Sequence, residues 1–254
     1  MAIERSEDDT STGTDPGTDP TWTQQGWNRL LSVQRPVVLA HLRSIRKRHP
    51  DASPADVVRT LERRYVAAVT TGGAASGAAA VVPGVGTIAS IGISGVETAG
   101  FLEASALFAQ SVAEVHGVAT TDPERSSTLV MALMLGPAGA SLVQQFTGEV
   151  NGTGPGRSAY WGEAVAKGIP GGLFKPFADR VRKSFIKRFA ARQGGSVVLR
   201  AVPFGIGAVI GGAGNRIAGR RVVQAAREAF GEAPAAFPPD VRADDPAKAL
   251  GTGE

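Results

Sequence analysis

An all-α fold is expected for this 254-residue chain on three observations. Residues 65–96 run thirty-two positions without a charge and consist almost wholly of Gly, Ala, Val, Ile, Ser and Thr. Two segments carry helix-start chemistry, a capping side chain followed by proline and an acid in the first turn: Ser53-Pro54-Ala55-Asp56 and Thr121-Asp122-Pro123-Glu124. No segment alternates apolar and polar residues between turn signals as a half-buried strand does. The expected architecture is a helical bundle built round a Gly/Ala-rich helical hairpin, with a disordered acidic tail at each end.

The tails are read from composition. Residues 1–21 hold six acids and one base, residues 231–254 five acids and two bases, and both lack apolar periodicity. Between them, residues 22–230 form the single expected domain, with 24 bases against 12 acids. A net +12 on that body suits an anionic partner, a phospholipid surface or nucleic acid. The opening MAIERSEDD is acidic where a secretory signal needs bases and an apolar run, so export is not expected. With no cysteine, disulfides and thiolate metal sites are excluded. Thirty-three glycines against only 10 Phe, 2 Tyr and 3 Trp call for a core closed by backbone approach rather than by bulk.

The elements follow in order. Residues 22–49 suit two short helices, with Val38, Leu42 and Ile45 at helical spacing and Arg43, Arg46, Lys47 and Arg48 mostly facing out. The helix started at Ser53 runs through Val57, Leu61 and Tyr65 into the uncharged stretch, where Pro83-Gly84-Val85-Gly86 breaks it. A second long helix covers about 87–115, giving a hairpin over 57–115. Residues 126–146 form another uncharged helical segment, interrupted by Gly136-Pro137, and residues 151–156 form a loop. In residues 174–192 a helical wheel places Phe174, Phe177, Val181, Phe185 and Phe189 on one arc. Lys175, Arg180, Lys183 and Lys187 fall elsewhere, while Arg188 and Arg192 intrude on the apolar side. Residues 196–230 hold a glycine-rich run and then a charged helix with Arg216, Arg220, Arg221 and Arg227.

The small-residue spacings Gly73-xxx-Gly77, Ser90-xxx-Ser94 and Gly207-xxx-Gly211 let helix backbones approach closely, in lipid or in a packed core. Residues 65–96 are long enough to cross a bilayer. Pro83 divides the run, however, and Leu and Phe, which drive insertion, are absent from it. A packed hairpin is therefore expected. The basic helix is the expected contact with membrane or partner, through Phe174, Phe177, Arg180, Lys183, Phe185, Lys187 and Phe189. Its competing use is to pack the phenylalanines inward and leave the bases in solvent.

Glu97, Glu103 and Glu114 are the acids of the second long helix. Glu103 and Glu114, eleven residues apart, share a face. In apolar surroundings they need partners, and Arg200 and Arg216 are the candidates for a set of structural buried charges. Paired carboxylates could instead do acid–base work. A metal is not expected: Glu114-Val-His116 lacks the Glu-x-x-His spacing of bundle di-metal sites, and His41, His49 and His116 form no ligand set. Gly205-x-Gly207-x-x-x-Gly211 has no strand before it and is not a dinucleotide loop, so no cofactor is expected.

Three blocks carry a family resemblance: residues 70–86 (TTGGAASGAAAVVPGVG), the segment FLEASALF at 101–108 continuing to Glu114, Val115, His116 and Gly117, and PFGIGAVIGG at 203–212 continuing through Asn215, Gly219, Arg220 and Arg221. In this order they resemble the EcsC family, particularly its actinobacterial members, over about residues 35–232. The resemblance implies a helical, membrane-linked bacterial protein and transfers no catalytic residue. The expected function is a non-enzymatic protein at the inner face of the cell membrane, bound peripherally to anionic lipid or to a membrane (transporter-like) complex. The alternative is a soluble bundle that holds an apolar ligand such as lipid between its helices, and a third reading is an enzyme using Glu103 and Glu114. No specific nucleic acid is expected.

Overall fold

A computed structural model describes residues 31, 33–79, 87–151, 160–199 and 206–243. The described elements are all helical: α1 (Arg35–Arg48), α2 (Pro54–Ala79), α3 (Thr87–Val115), α4 (Pro123–Leu135), α5 (Pro137–Asn151), α6 (Trp161–Glu163, continued by a π-turn at Ala164–Gly168), α7 (Gly171–Leu199), α8 (Ile206–Phe230) and α9 (Pro239–Ala243). The class is all-α. Among the described residues no helix is long and apolar enough to cross a membrane. The Pro83–Gly86 break, Arg200, residues 1–21 and 244–254, and the side chain of Phe189 lie outside what is described.

Both helix-start signals are built as their chemistry requires. The Ser53 hydroxyl accepts from Asp56 N–H at 3.2 Å while Asp56 Oδ2 accepts from Ser53 N–H at 3.1 Å, a reciprocal cap at the head of α2. The Ser53 hydroxyl also donates to Asp56 Oδ2 at 2.6 Å, and that bond first, then one from Arg59, holds the Asp56 carboxyl down at about 2. Asp122 caps α4 by accepting from Glu124 N–H at 2.9 Å and Arg125 N–H at 3.4 Å. At the far end of α4, Gly136 takes φ +62°, and Pro137 opens α5 in a new direction.

Among the described residues α4 is enclosed over most of its length. Every residue from Ser126 to Leu133 is buried. A helix enclosed on all sides must satisfy its polar groups locally, and it does: Ser127 and Thr128 donate back to Glu124 O, at 3.1 and 2.7 Å. Its Leu129, Met131 and Leu133 join one continuous core with Val112 of α3, Trp161 of α6 and Phe177 of α7.

Small residues bring α2 and α8 close together. A Cβ on Gly219 would lie 2.8 Å from Val69 Cγ2, and one on Gly212 would lie 3.3 Å from Ala74 Cβ and 3.4 Å from Thr70 O. Gly212, Gly219 and the buried Ala226 recur every seven residues and so share one face of α8. Arg227 then clamps Glu62 of α2 with two bonds, Nε to Oε1 at 2.7 Å and Nη2 to Oε2 at 2.6 Å. On its other side α2 meets α3, where Tyr65 stacks on Phe108 with centroids 4.6 Å apart and its hydroxyl lies 2.8 Å from Ser105 Oγ.

The expectation of a disordered tail from residue 231 is corrected. Gly231, at φ +71°, ends α8 and its N–H bonds to Arg227 O at 2.9 Å. The chain beyond runs back across α1, with Val241 fully buried and Phe237 under the Arg46 guanidinium at 4.8 Å. Arg46 Nη1 donates to Val241 O at 2.7 Å, and Arg35 Nη2 donates to Asp240 Oδ2 at 2.8 Å. Mean composition misses this, because two apolar residues four apart suffice to anchor an otherwise polar segment. Packed structure therefore reaches at least to Val241.

Burial sets a pH dependence. His116 closes α3 with its ring stacked on Phe230, centroids 5.4 Å apart, and burial lowers its pKa from the ordinary 6.5 against the pull of Val112 O. Burial first, and Arg64 second, lower His41 likewise. An unfolded chain takes up protons near 6.5 that the folded chain refuses, so stability is level above that value and falls as pH drops below it. The urea midpoint is expected to be lower at pH 5 than at pH 7.5, with His116→Gln narrowing the gap. A midpoint that rises on acidification would contradict this.

Candidate ligand pocket

A pocket of about 590 Å³ opens where α3, the α4–α5 elbow, α7 and α8 diverge. That volume lies within the range of small-molecule sites. Its origin is a local shortage of side-chain volume. Gly136 and Ala138 occupy the elbow, and Ala218 and Ala225, seven apart, occupy the facing stripe of α8. The floor is apolar: Phe101 of α3, Met134 and Leu135 of α4, Phe185 of α7, and Val222 and Ala225 of α8.

The rim is polar and unevenly satisfied. Glu97 accepts from Asn215 Nδ2 at 3.0 Å, and Glu228 accepts from Gln224 Nε2 at 3.0 Å. Arg188 of α7 and Arg221 of α8 are exposed at the same mouth. Neither guanidinium makes a hydrogen bond or ion pair among the described residues. The arrangement offers an apolar enclosure with charged groups confined to its edge, which is the chemistry of binding an amphipathic molecule.

The residues singled out from sequence are only partly brought together. Phe174, Phe177 and Phe185 are turned into the core, so the expectation that they meet a membrane or partner is corrected. Phe177 packs 5.1 Å from Phe146 by ring centroid, and Arg125 lies 4.3 Å above Phe174 while bonding Ile169 O at 2.6 Å. The phenylalanine arc faces the neighbouring helices because it is the strongest apolar face of α7 and α4 needs a cover. Arg180, Lys183 and Lys187 are exposed. The intrusion of Arg188 on the apolar arc now has a reason, since it stands beside Phe185 at the pocket mouth.

The set of buried charges is also corrected. Glu114 is buried and takes two bonds from Arg35, Nε to Oε1 at 2.5 Å and Nη2 to Oε2 at 3.1 Å, a partner that was not among those expected. The carboxylate in turn raises the pKa of Arg35. Glu103 and Arg216 are exposed, and Glu97 is half-buried. Eleven residues return a helix to the same azimuth but advance it about 16 Å. The end at Glu114 is covered by α1 and α9, and the position of Glu103 is not. The two carboxyls therefore share no cleft.

Sequence reasoning did not assemble Phe101, Leu135, Phe185, Ala218 and Arg221 into one site. The available signals were the misplaced Arg188 and the seven-residue recurrence of small residues on the last long helix. Among the described residues no group of three or more His, Asp or Glu is placed to hold a metal.

The fold and the site define an all-α bundle with a lateral, apolar-floored, charge-rimmed pocket. No family model matches the chain, and no curated protein or solved structure matches it.

Proposed function

We propose that the protein binds an apolar or amphipathic small molecule of the lipid class in the pocket between α3, α7 and α8. The observation that carries this reading is the pocket itself, about 590 Å³ over a floor of Phe101, Met134, Leu135, Phe185, Val222 and Ala225. Three of its residues, Phe101, Asn215 and Arg221, also belong to the blocks on which the EcsC resemblance rests. Titration with the fluorescent probe N-phenylnaphthylamine tests it. Fluorescence is expected to rise on binding, and Ala218→Trp, which places an indole in the pocket from a half-exposed position, is expected to weaken binding at least tenfold. No fluorescence gain, or an unchanged affinity in a folded Ala218→Trp variant, would refute the reading.

A second reading is favoured by the exposed row Arg180, Lys183 and Lys187 on a body of net +12: peripheral attachment to an anionic membrane. With Phe174, Phe177 and Phe185 turned inward, that attraction is electrostatic and is screened by salt. Co-sedimentation with phosphatidylglycerol vesicles is expected at low salt, and to be lost at high salt and on changing all three bases to Glu. Equal sedimentation with uncharged vesicles would count against it.

A further inference from the structure

We infer that the pocket takes a single-chain amphiphile with an anionic head, the head held by Arg188 and Arg221 and the chain laid over Phe101, Leu135 and Phe185. This rests on the pocket reading above and adds the class of ligand.

The argument is one of unmet hydrogen-bonding capacity. Four charged side chains stand at the mouth: Glu97, Arg188, Arg221 and Glu228. Each carboxylate already accepts from an amide, Glu97 from Asn215 and Glu228 from Gln224. Each guanidinium offers five N–H donors, and neither has a partner among the described residues. A cationic head would meet carboxylates that already take an amide bond each. An anionic head would meet guanidiniums that have no partner among the described residues.

Position agrees with charge. On α8, Arg221 lies six residues from Asn215 and seven from Glu228, so about 9–11 Å of helix separates it from either end of the mouth. The acids thus occupy the two ends and the arginine the middle. Arg188 reaches the same mouth from α7, one helical turn from Phe185 of the floor. Two guanidiniums from separate helices over one apolar floor match a carboxylate or phosphate attached to an alkyl chain. Planar guanidinium donors pair well with either oxyanion.

Calorimetric titration of the full chain separates the possibilities. Decanoate and decyl phosphate are expected to bind at least tenfold more tightly than decanol or decyltrimethylammonium, as a charge-assisted contact gives. Their relative affinities show whether the head is read as carboxylate or phosphate. In Arg188→Gln/Arg221→Gln the gap is expected to shrink to within about twofold, with decanol binding unchanged. Both arginines are exposed, and melting curves check that the variant folds. A second measurement needs no variant: the wild-type affinity for decanoate falls with added salt while that for decanol does not. Decanol binding as tightly as decanoate, decyltrimethylammonium binding more tightly, or a gap that survives the double substitution would overturn the head-group assignment and leave the pocket reading intact. Inorganic phosphate alone binding as well as decyl phosphate would overturn it too. Failure of every alkyl compound to bind would overturn both.

Discussion

Gly139→Ala is expected to destabilise the protein by about 3–5 kcal/mol, at the severe end for the addition of one methyl group. The new Cβ would lie 2.0 Å from Ala132 O, 2.7 Å from Ala132 C and 2.9 Å from Ala132 Cα. These are backbone atoms of α4, and Ala132 has no exposure, so nothing flexible can swing aside. Relief requires α5 to move off α4 as a body, which withdraws Val143 and Phe146 from the core and opens the elbow at Pro137 and Ala138. Gly100 supplies the control: a Cβ there meets nothing within 4 Å. Gly100→Ala, in the exposed interior of α3, is expected to be neutral or to stabilise by up to about 1 kcal/mol. Urea denaturation of the two variants is the measurement. Equal midpoints would show that α4 and α5 do not touch as described.

The second large effect is expected at Arg35. Its removal leaves Glu114, whose side chain is 5% exposed, with a buried and uncompensated charge. Loss of one partner of a buried pair costs about 3–5 kcal/mol. Here the figure is discounted to about 2–4 kcal/mol, because Arg35 itself is 35% exposed and water reaches part of the pair. Glu114→Gln should be milder, since the amide oxygen still accepts from the guanidinium. Arg35→Met combined with Glu114→Leu should recover most of the loss, because both charges then leave together. A double-mutant cycle from urea unfolding gives the coupling. An Arg35→Ala variant within about 0.5 kcal/mol of wild type would exclude a stabilising role for the pair.

The features readable in the sequence are those that close within a few residues. The caps at Ser53 and Asp122 and the elbow at Gly136-Pro137 need only their neighbours, and each lies where its residues direct. Features that depend on what covers a face were not readable. A helical wheel shows that Phe174, Phe177 and Phe185 share a side, but not that this side meets α4 rather than lipid. It places Glu103 and Glu114 on one azimuth, but not that α1 and α9 cover only the second. The segment after Gly231 looked like tail because its apolar content is low, yet Phe237 and Val241 are spaced to grip α1. The pocket was hardest of all. It is made by what Ala218, Ala225 and Gly136 lack, in helices far apart in the chain, and an absence of volume leaves no motif.

The contacts of α9 with α1 have a consequence for the order of synthesis. Arg35 and Asp240 are 205 residues apart, and Arg46 and Val241 are 195 apart. A chain emerging from the ribosome can start α2, cap it at Ser53 and begin burying α4 long before either contact exists. The flank of α1 that takes Phe237 and Val241 therefore stays open until residues 237–241 have been made, and that segment acts as a latch on helices already present. Late, long-range closure of this kind is slow relative to helix formation. The newly made chain thus passes through a stage in which α2 to α8 can be complete while α1 is still unsealed on this flank.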